Sequence, residues 1–194
     1  NEVTTYRYLG VSLDNHLTLQ QYVRDLYKKA AARVKMLSRI RKSTGPYVAE
    51  TIYLTMIRPI LLYCYTLQPS LPKGARDKLQ SVQDKASRVV AMDSGIIVNW
   101  DSIEMTCKQR IAVDVFKILN NLAPKIFENQ FQVMDHEKNT RGNRSLLKLP
   151  KSRTESGRKR FAIQGALIFN DLAKDIRDEK SLLRFKSKLR AVYI

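Results

Sequence analysis

Polar and hydrophobic residues alternate at the start of the chain, before a helical period takes over. In the stretch TTYRYLGVSLD (residues 4–14), Leu9, Val11 and Leu13 share one face, which predicts a β-strand. Gly10, in the middle of the strand, predicts a bulge or the close approach of another backbone. Because no later segment has matching strand chemistry, we expect the partner of this single strand to lie upstream of the first residue.

Hydrophobic residues then recur every three or four positions, which predicts three helices in the first half of the chain. The first spans 18–42 and ends at STGP (43–46), and the second, about 47–66, is apolar nearly all round. Such a helix is expected to be buried at the centre of a bundle, with a kink at Pro59. The third spans about 75–92 and carries, like the first, a basic exposed face. Together they predict a compact three-helix bundle.

The second half of the chain predicts a smaller helical region. Residues 93–102 (DSGIIVNWDS) have no period and predict a linker. Helices are expected over about 107–122, 159–172 and 181–193, and a long loop rich in Arg and Lys over 135–160. The predicted fold class is therefore mainly α, with a short N-terminal β-strand, a three-helix bundle and a C-terminal helical region with a long basic loop. The expected domains are the strand (1–14), the bundle (15–93) and the C-terminal region (94–194).

The net charge indicates a polyanionic partner. The chain has 35 Lys and Arg against 18 Asp and Glu, a formal charge of +17. Nucleic acid is the first candidate and an anionic membrane surface the second. A basic face on one helix is more often simply solvated, but three separate basic elements with few acids favour phosphate contacts. An acidic partner protein would satisfy the basic loop as well.

The sequence contains no convincing catalytic or metal-ligating constellation. Two His and two Cys, without a C-x-x-C pair, exclude a zinc finger by ligand count. The aspartates are too scattered for a two-metal centre, and the sequence has no glycine-rich phosphate-binding motif. Cys64 and Cys107 each fall in an apolar periodic stretch and are expected to be buried free thiols, with a disulfide as the less favoured alternative. No hydrophobic run approaches transmembrane length.

Short motifs occur along the whole chain in one order. The first half contains YRYLGVSLDNHLTL, KKAAARVKMLSRI, IYLTMIRPILLYC and DKLQSVQDKASRVV, and the second contains QRIAVDVFKILNNLAPKIF and TRGNRSLLKLP through to FKSKL. In this order they resemble the region after the catalytic palm in reverse transcriptases of non-LTR (LINE-type) retrotransposons. Phe169 and Ala173 depart from the pattern, in which Trp and Pro are usual.

The resemblance implies the thumb and C-terminal part of an RNA-directed DNA polymerase. Such a part would be inactive alone, because the aspartate-bearing motif of the palm is absent. Tyr8, Leu9 and Gly10 match the primer-grip position and would hold the 3′ end of the primer strand. The nucleic-acid-binding residues would be Arg24, Lys28, Arg33, Lys35, Arg39, Lys78, Lys85, Arg88, Arg141, Arg144, Lys148, Lys151, Arg153, Arg158, Lys159 and Arg160.

The implied partners are an RNA/DNA template-primer and the palm and fingers of the same polyprotein, of which this chain would be a fragment. No cofactor is expected in the chain, because Mg²⁺ would belong to the missing palm. The implied location is the nucleus and cytoplasm, without membrane association. One alternative is a mobile-element fragment repurposed as a nucleic-acid- or protein-binding adaptor without polymerase activity. A membrane-surface protein ranks last, because a bundle core uses the apolar helix faces.

Overall fold

The computed structural model describes residues 4–134 and 146–192 and is mainly helical, with a small antiparallel sheet at the N-terminus. The sheet consists of β1 (Thr5–Tyr8) and β2 (Val11–Asp14). The α-helices are α1 (Gln20–Ile52), α2 (Arg58–Leu61), α3 (Lys73–Ala91), α4 (Ile103–Leu119), α5 (Glu155–Arg158), α6 (Phe161–Asn170), α7 (Lys174–Arg177) and α8 (Leu182–Val192). A π-helical segment (Tyr53–Ile57) and 3₁₀ segments (Tyr65–Ser70 and Lys125–Phe127) complete the helical elements.

The stretch predicted to be a single strand is a β-hairpin. β1 and β2 pair antiparallel with Tyr8 opposite Val11, so the prediction of a partner outside the chain was wrong. Leu9 and Gly10 form the turn, with φ of 45° and 80°. When both central residues of a two-residue turn have positive φ, the twist of the turn matches the right-handed twist of the two strands. The hairpin was not predicted because leucine seldom adopts positive φ. Gly10 was therefore the one residue in the sequence that indicated a turn.

The described chain divides into two compact units, and the first takes in the residues up to Cys64 together with Leu71–Ile103. Its core forms where the apolar stripe of α1 packs against α3 and the π-helical segment. The helical spacing in the sequence predicted the α1 part of this core. The buried core residues include Tyr22, Val23, Leu26, Ala30, Val34, Leu37, Tyr53, Ile57, Leu61, Leu79, Val82, Ala86 and Val90.

The STGP segment separates two helical stretches that are counted together as α1. Gly45 has φ 74° and ψ 170°, outside the helical region, and the helix resumes at Pro46 and continues to Ile52. Glycine adopts positive φ at no steric cost. Proline can begin a helix without the loss of a hydrogen bond, because the first N–H of a helix has no partner within the helix. The predicted boundary is therefore a kink between two helical stretches.

The second predicted helix is buried on one side only, contrary to the expectation for an apolar segment. Tyr53 and Ile57 are fully buried, whereas Tyr47 is 76% and Met56 52% exposed. The π-helical segment comes directly before α2, whose second residue is Pro59. Proline lacks the N–H that would bond a carbonyl one turn earlier, and a π-helical turn is one way in which a helix adjusts its hydrogen bonds.

The segment predicted as a linker belongs to the first unit and packs within it through Trp100. Its ring stacks on Tyr53 with the centroids 3.8 Å apart, and its Nε1 donates to Glu50 at 2.9 Å. The Tyr53 hydroxyl donates to Gln83 at 2.7 Å, and Gln83 Nε2 donates to the backbone oxygen of Asp101 at 2.9 Å. Burial raises the pKa of Tyr53 far above its usual value, which keeps this hydroxyl a donor.

The second unit takes in Tyr65–Ser70 and the described residues from Glu104 onwards. Its core lies among α4, α6, α7 and α8, where the rings of Phe116 and Phe185 stack with centroids 4.3 Å apart. Gly165 of α6 is packed so tightly that an added Cβ would lie 2.9 Å from side-chain atoms of Val115 and Phe131. Glycine at this position therefore sets how closely α6 approaches α4.

The described end of the predicted basic loop is fixed to the second unit. Leu147 is fully buried and forms an antiparallel bridge with Val133. The Asn170 side chain accepts a hydrogen bond from Leu147 N and donates one to Leu147 O. Thus the chain near residue 147 does not have the freedom of a loop. Arg141 and Arg144 lie outside the described residues.

Candidate nucleic-acid interface

The residues expected to form a primer grip lie at the tip of the hairpin. Tyr8 is 59% and Leu9 74% exposed. The Tyr63 hydroxyl donates to Leu9 O, and a Cβ on Gly10 would lie 3.2 Å from that hydroxyl oxygen. Glycine therefore lets Tyr63 close on the turn. The Tyr22 hydroxyl donates in turn to Tyr63 O, which ties the tip to α1.

Asp14 fixes the junction between the hairpin and α1. Its carboxylate accepts the backbone N–H groups of His16, Thr18 and Leu19 at 3.1, 2.9 and 3.0 Å. The Thr18 hydroxyl also donates to it at 2.9 Å. These hydrogen bonds, above all the one from Thr18 N–H, hold the pKa of Asp14 below its usual value. The direction in which the hairpin leaves the helix thus depends on one ionised carboxylate.

A groove of about 430 Å³ lies beside the hairpin tip within the first unit. Gly10 lines it together with Asp25, Lys29 and Arg33 of α1. Arg33 Nη1 donates to the backbone oxygen of Met56 at 2.6 Å, so part of its hydrogen-bonding capacity serves the fold. The groove brings together two residues predicted from the sequence, Gly10 and Arg33. It adds Lys29, which the sequence did not single out.

Four predicted cations form a stripe along α1. Arg24, Lys28, Lys35 and Arg39 are all exposed and are spaced by four, seven and four residues. At 3.6 residues per turn this spacing keeps them within about 60° of one another over about 22 Å of helix. The stripe lies opposite the buried face of α1. None of these side chains has a hydrogen bond or ion pair to another residue within 4–134 or 146–192.

Two cations of α3 adjoin the stripe. Lys78 Nζ lies 4.9 Å from the ring centroid of Tyr27, so this side of α3 faces α1, and Lys85 follows on the same side seven residues later. Arg88, three residues after Lys85, donates from Nε to the backbone oxygen of Asp84 at 3.2 Å, so its guanidinium is partly engaged within α3. We define the α1–α3 basic face as Arg24, Lys28, Lys35, Arg39, Lys78 and Lys85.

The described cations of the predicted basic loop belong to the second unit and are exposed, with one exception. Lys159 is half-buried, and its Nζ lies 3.2 Å from the carboxylate of Glu155. Arg160 donates from Nε to the backbone oxygen of Gly157 at 3.0 Å. The exposed cations are Lys148, Lys151, Arg153, Arg158 and Arg160.

A further group of cations in the second unit was missed. Arg110 and Lys117 of α4, with Lys186 and Arg190 of α8, line a pocket of about 470 Å³. Each pair is spaced to share one helix face, seven residues apart in α4 and four in α8. That spacing could have revealed both pairs, but only tertiary structure brings the two faces to one pocket.

Both cysteines are free thiols, as predicted. Cys107 is buried, whereas Cys64 is only partly buried, and desolvation raises the pKa of the Cys64 thiol. Among the described residues, no three His, Cys, Asp or Glu side chains lie close enough together to hold a metal ion. In the same part of the chain, no helix is both long and apolar enough to cross a bilayer.

Comparisons with known proteins add no relative: no family model, curated protein or solved structure matches the chain.

Proposed function

We propose that the chain binds an RNA/DNA template-primer through the α1–α3 basic face, as the thumb and C-terminal part of a non-LTR retrotransposon reverse transcriptase. The observation that carries this proposal is the stripe on α1. Its four cations are exposed and unpaired among the described residues. Asp25, the nearest acid in the helix, lies off the stripe and accepts hydrogen bonds from Gln21 at 2.9 Å and Ser12 at 3.3 Å.

The length of the stripe suits a phosphate backbone. Phosphates of one strand follow one another about every 3.4 Å along the axis of B-form DNA and more closely in an A-like RNA–DNA duplex. About 22 Å of helix therefore spans at least roughly six of them. Arg and Lys bound to phosphates position a protein without reading sequence. This is the recognition expected of a polymerase thumb, which must hold any template. Lys78 and Lys85 widen the contact from one helix to two.

The hairpin tip is proposed to contact the primer end. Tyr8 and Leu9 project an aromatic and an aliphatic side chain into solvent, at 59% and 74% exposure. Exposed apolar groups on a fixed turn can pack against a terminal base or sugar. The hydrogen bond from Tyr63 to Leu9 O supports this role, because it fixes the turn to the unit that carries the basic face.

The proposal is tested by binding of a fluorescent RNA–DNA duplex measured by anisotropy over a range of salt. The test variant is Lys28→Gln with Lys35→Gln, and the control is Lys73→Gln with Lys125→Gln, which removes the same charge from exposed sites outside the face. In the test variant, the log–log salt slope should fall by about 0.9 for each phosphate that the protein no longer neutralises. The control should keep the wild-type slope.

Equal losses in the two double variants would mean that net charge acts without a defined face, and the proposal would fail. Binding that is insensitive to salt would also contradict it. If a pull-down after nuclease treatment then recovered one dominant acidic protein, the adaptor alternative would replace it.

A further inference from the structure

The pocket between α4 and α8 has the composition of an anion site. Its described lining contains the cations Arg110, Lys117, Lys186 and Arg190, and Asp114 supplies the one carboxylate among these lining residues. The side chains of Lys117, Lys186 and Arg190 have no hydrogen bond or ion pair to another described residue. Like charges brought together without partners raise each other's free energy. A bound anion would relieve that repulsion.

Asp114 is one carboxylate against four cations, so it leaves the group with a net positive charge. The Tyr65 hydroxyl donates to it, and burial together with this bond raises the pKa of Tyr65 well above its usual value. The Tyr65 hydroxyl therefore stays protonated and remains the donor. The Arg110 guanidinium lies 5.5 Å from the centroid of the Tyr65 ring, a cation–π distance that places it at the pocket wall.

The pocket is built on fixed elements of the second unit. Phe116 of α4 and Phe185 of α8 stack in the core that joins the two helices, and Leu189, which lines the pocket, is buried. Because the cations stand on two packed helices, little of the backbone has to be ordered when a ligand binds. The volume, about 470 Å³, lies within the range of small-ligand sites.

We propose that this pocket binds the phosphate ester of a nucleotide, held by Lys117, Lys186 and Arg190 with Arg110 at the wall. Arginine can bond two phosphate oxygens at once, and lysine supplies a point charge. The ester can belong to a free nucleotide or to the end of a single strand. The site does not rest on the α1–α3 basic face: nucleotide binding here would stand even if that face bound no duplex.

Isothermal titration of the full chain with uridine 5′-monophosphate, uridine, and a short oligonucleotide with and without a 5′-phosphate tests the proposal. Uridine 5′-monophosphate should bind and uridine should not. Binding of the monophosphate alone would assign the site to a free nucleotide, whereas a preference for the 5′-phosphorylated oligonucleotide would assign it to a strand end.

Two variants decide whether this pocket is responsible. Lys117→Gln with Arg190→Gln should weaken binding at least about tenfold, as expected for loss of charged hydrogen bonds. Arg184→Gln with Lys180→Gln, which removes equal charge outside the pocket lining, should change it less than about twofold. Asp114→Asn should strengthen binding, since it removes the one pocket carboxylate while keeping an acceptor for Tyr65. Absence of phosphate-dependent binding, equal losses in the two double variants, or weaker binding by Asp114→Asn would each overturn the proposal.

Discussion

Asn170 hydrogen-bonds to both backbone groups of Leu147, accepting from its N–H at 2.8 Å and donating to its C=O at 2.9 Å. The amide thus acts as a neighbouring strand would, at a point where Leu147 is fully buried. Asn170→Ala should lower the free energy of unfolding by about 1–3 kcal/mol, because buried backbone groups lose their partners. Urea unfolding would measure this. The exposed Asn129→Ala should stay within about 0.5 kcal/mol of wild type.

Arg41 and Arg39 are two residues apart in α1 but have opposite roles. Arg41 is 6% exposed and donates to the backbone oxygens of Val90 and Met92 at 3.0 and 2.9 Å, which caps the end of α3. Arg41→Met should therefore cost about 1–3 kcal/mol of stability, since it leaves buried carbonyls unpaired.

Arg39 is exposed, and Arg39→Met should leave thermal stability nearly unchanged while it weakens duplex binding. The pair of variants separates folding from binding within a single helix. Loss of stability in Arg39→Met, with no loss of affinity, would contradict its place in the basic face.

Gly165 should tolerate no larger side chain. Its missing Cβ would lie 2.9 Å from atoms of Val115 and Phe131, both part of the second core. Gly165→Ala should lower the unfolding free energy by about 1–3 kcal/mol through overpacking. Gly74→Ala offers a control, because a Cβ there meets nothing within 4 Å; alanine should leave stability unchanged or raise it by up to about 1 kcal/mol. Differential scanning calorimetry would distinguish these opposite signs.

The hydrogen bonds to Asp14 predict a defined pH dependence. Its pKa is lowered from the usual 3.8, so the folded state favours the ionised form. The stability gained from ionisation is therefore complete above that value and disappears as the pH falls through the lower folded-state pKa. The melting temperature of wild type should exceed that of Asp14→Asn at pH 5, and the gap should narrow below pH 3.8. A gap that stays constant or widens on acidification would rule this account out.

Helical periodicity predicted much of the fold because the apolar positions of α1 all lie on the side of the helix that packs against the core. It did not predict features that depend on single residues. The packing of Trp100 on Tyr53 lies in a segment without a period, and α7 is too short for a period to show. The hairpin was missed because its turn begins with Leu9, a residue that turn preferences would not choose.

The exposed cations of the candidate interface could be predicted where the spacing of residues along a helix determines which side chains face solvent. Lys28 and Lys35 lie on one exposed face, as a periodic α1 requires. Arg33 is on another side, where it donates to the carbonyl of Met56, and no local pattern announces that contact between residues 23 positions apart. The pocket between α4 and α8 depends in the same way on the packing of two helices that are far apart in sequence.

The segment Tyr65–Ser70 interrupts the first unit in sequence yet belongs to the second. Two of its hydrogen bonds go to residues much later in the chain. The Tyr65 hydroxyl donates to Asp114, 49 residues later, and the Ser70 hydroxyl donates to the carbonyl of Lys159, 89 residues later. At ribosomal speeds of about 5–20 residues per second, the last of these partners follows roughly 4 to 18 seconds after Ser70. During synthesis, these six residues leave the ribosome before the rest of the second unit, with which they pack, has been made. A ribosome that stalled between Ile103 and Asp114 would leave Tyr65 and Ser70 without these partners, after the whole sequence of the first unit had been made.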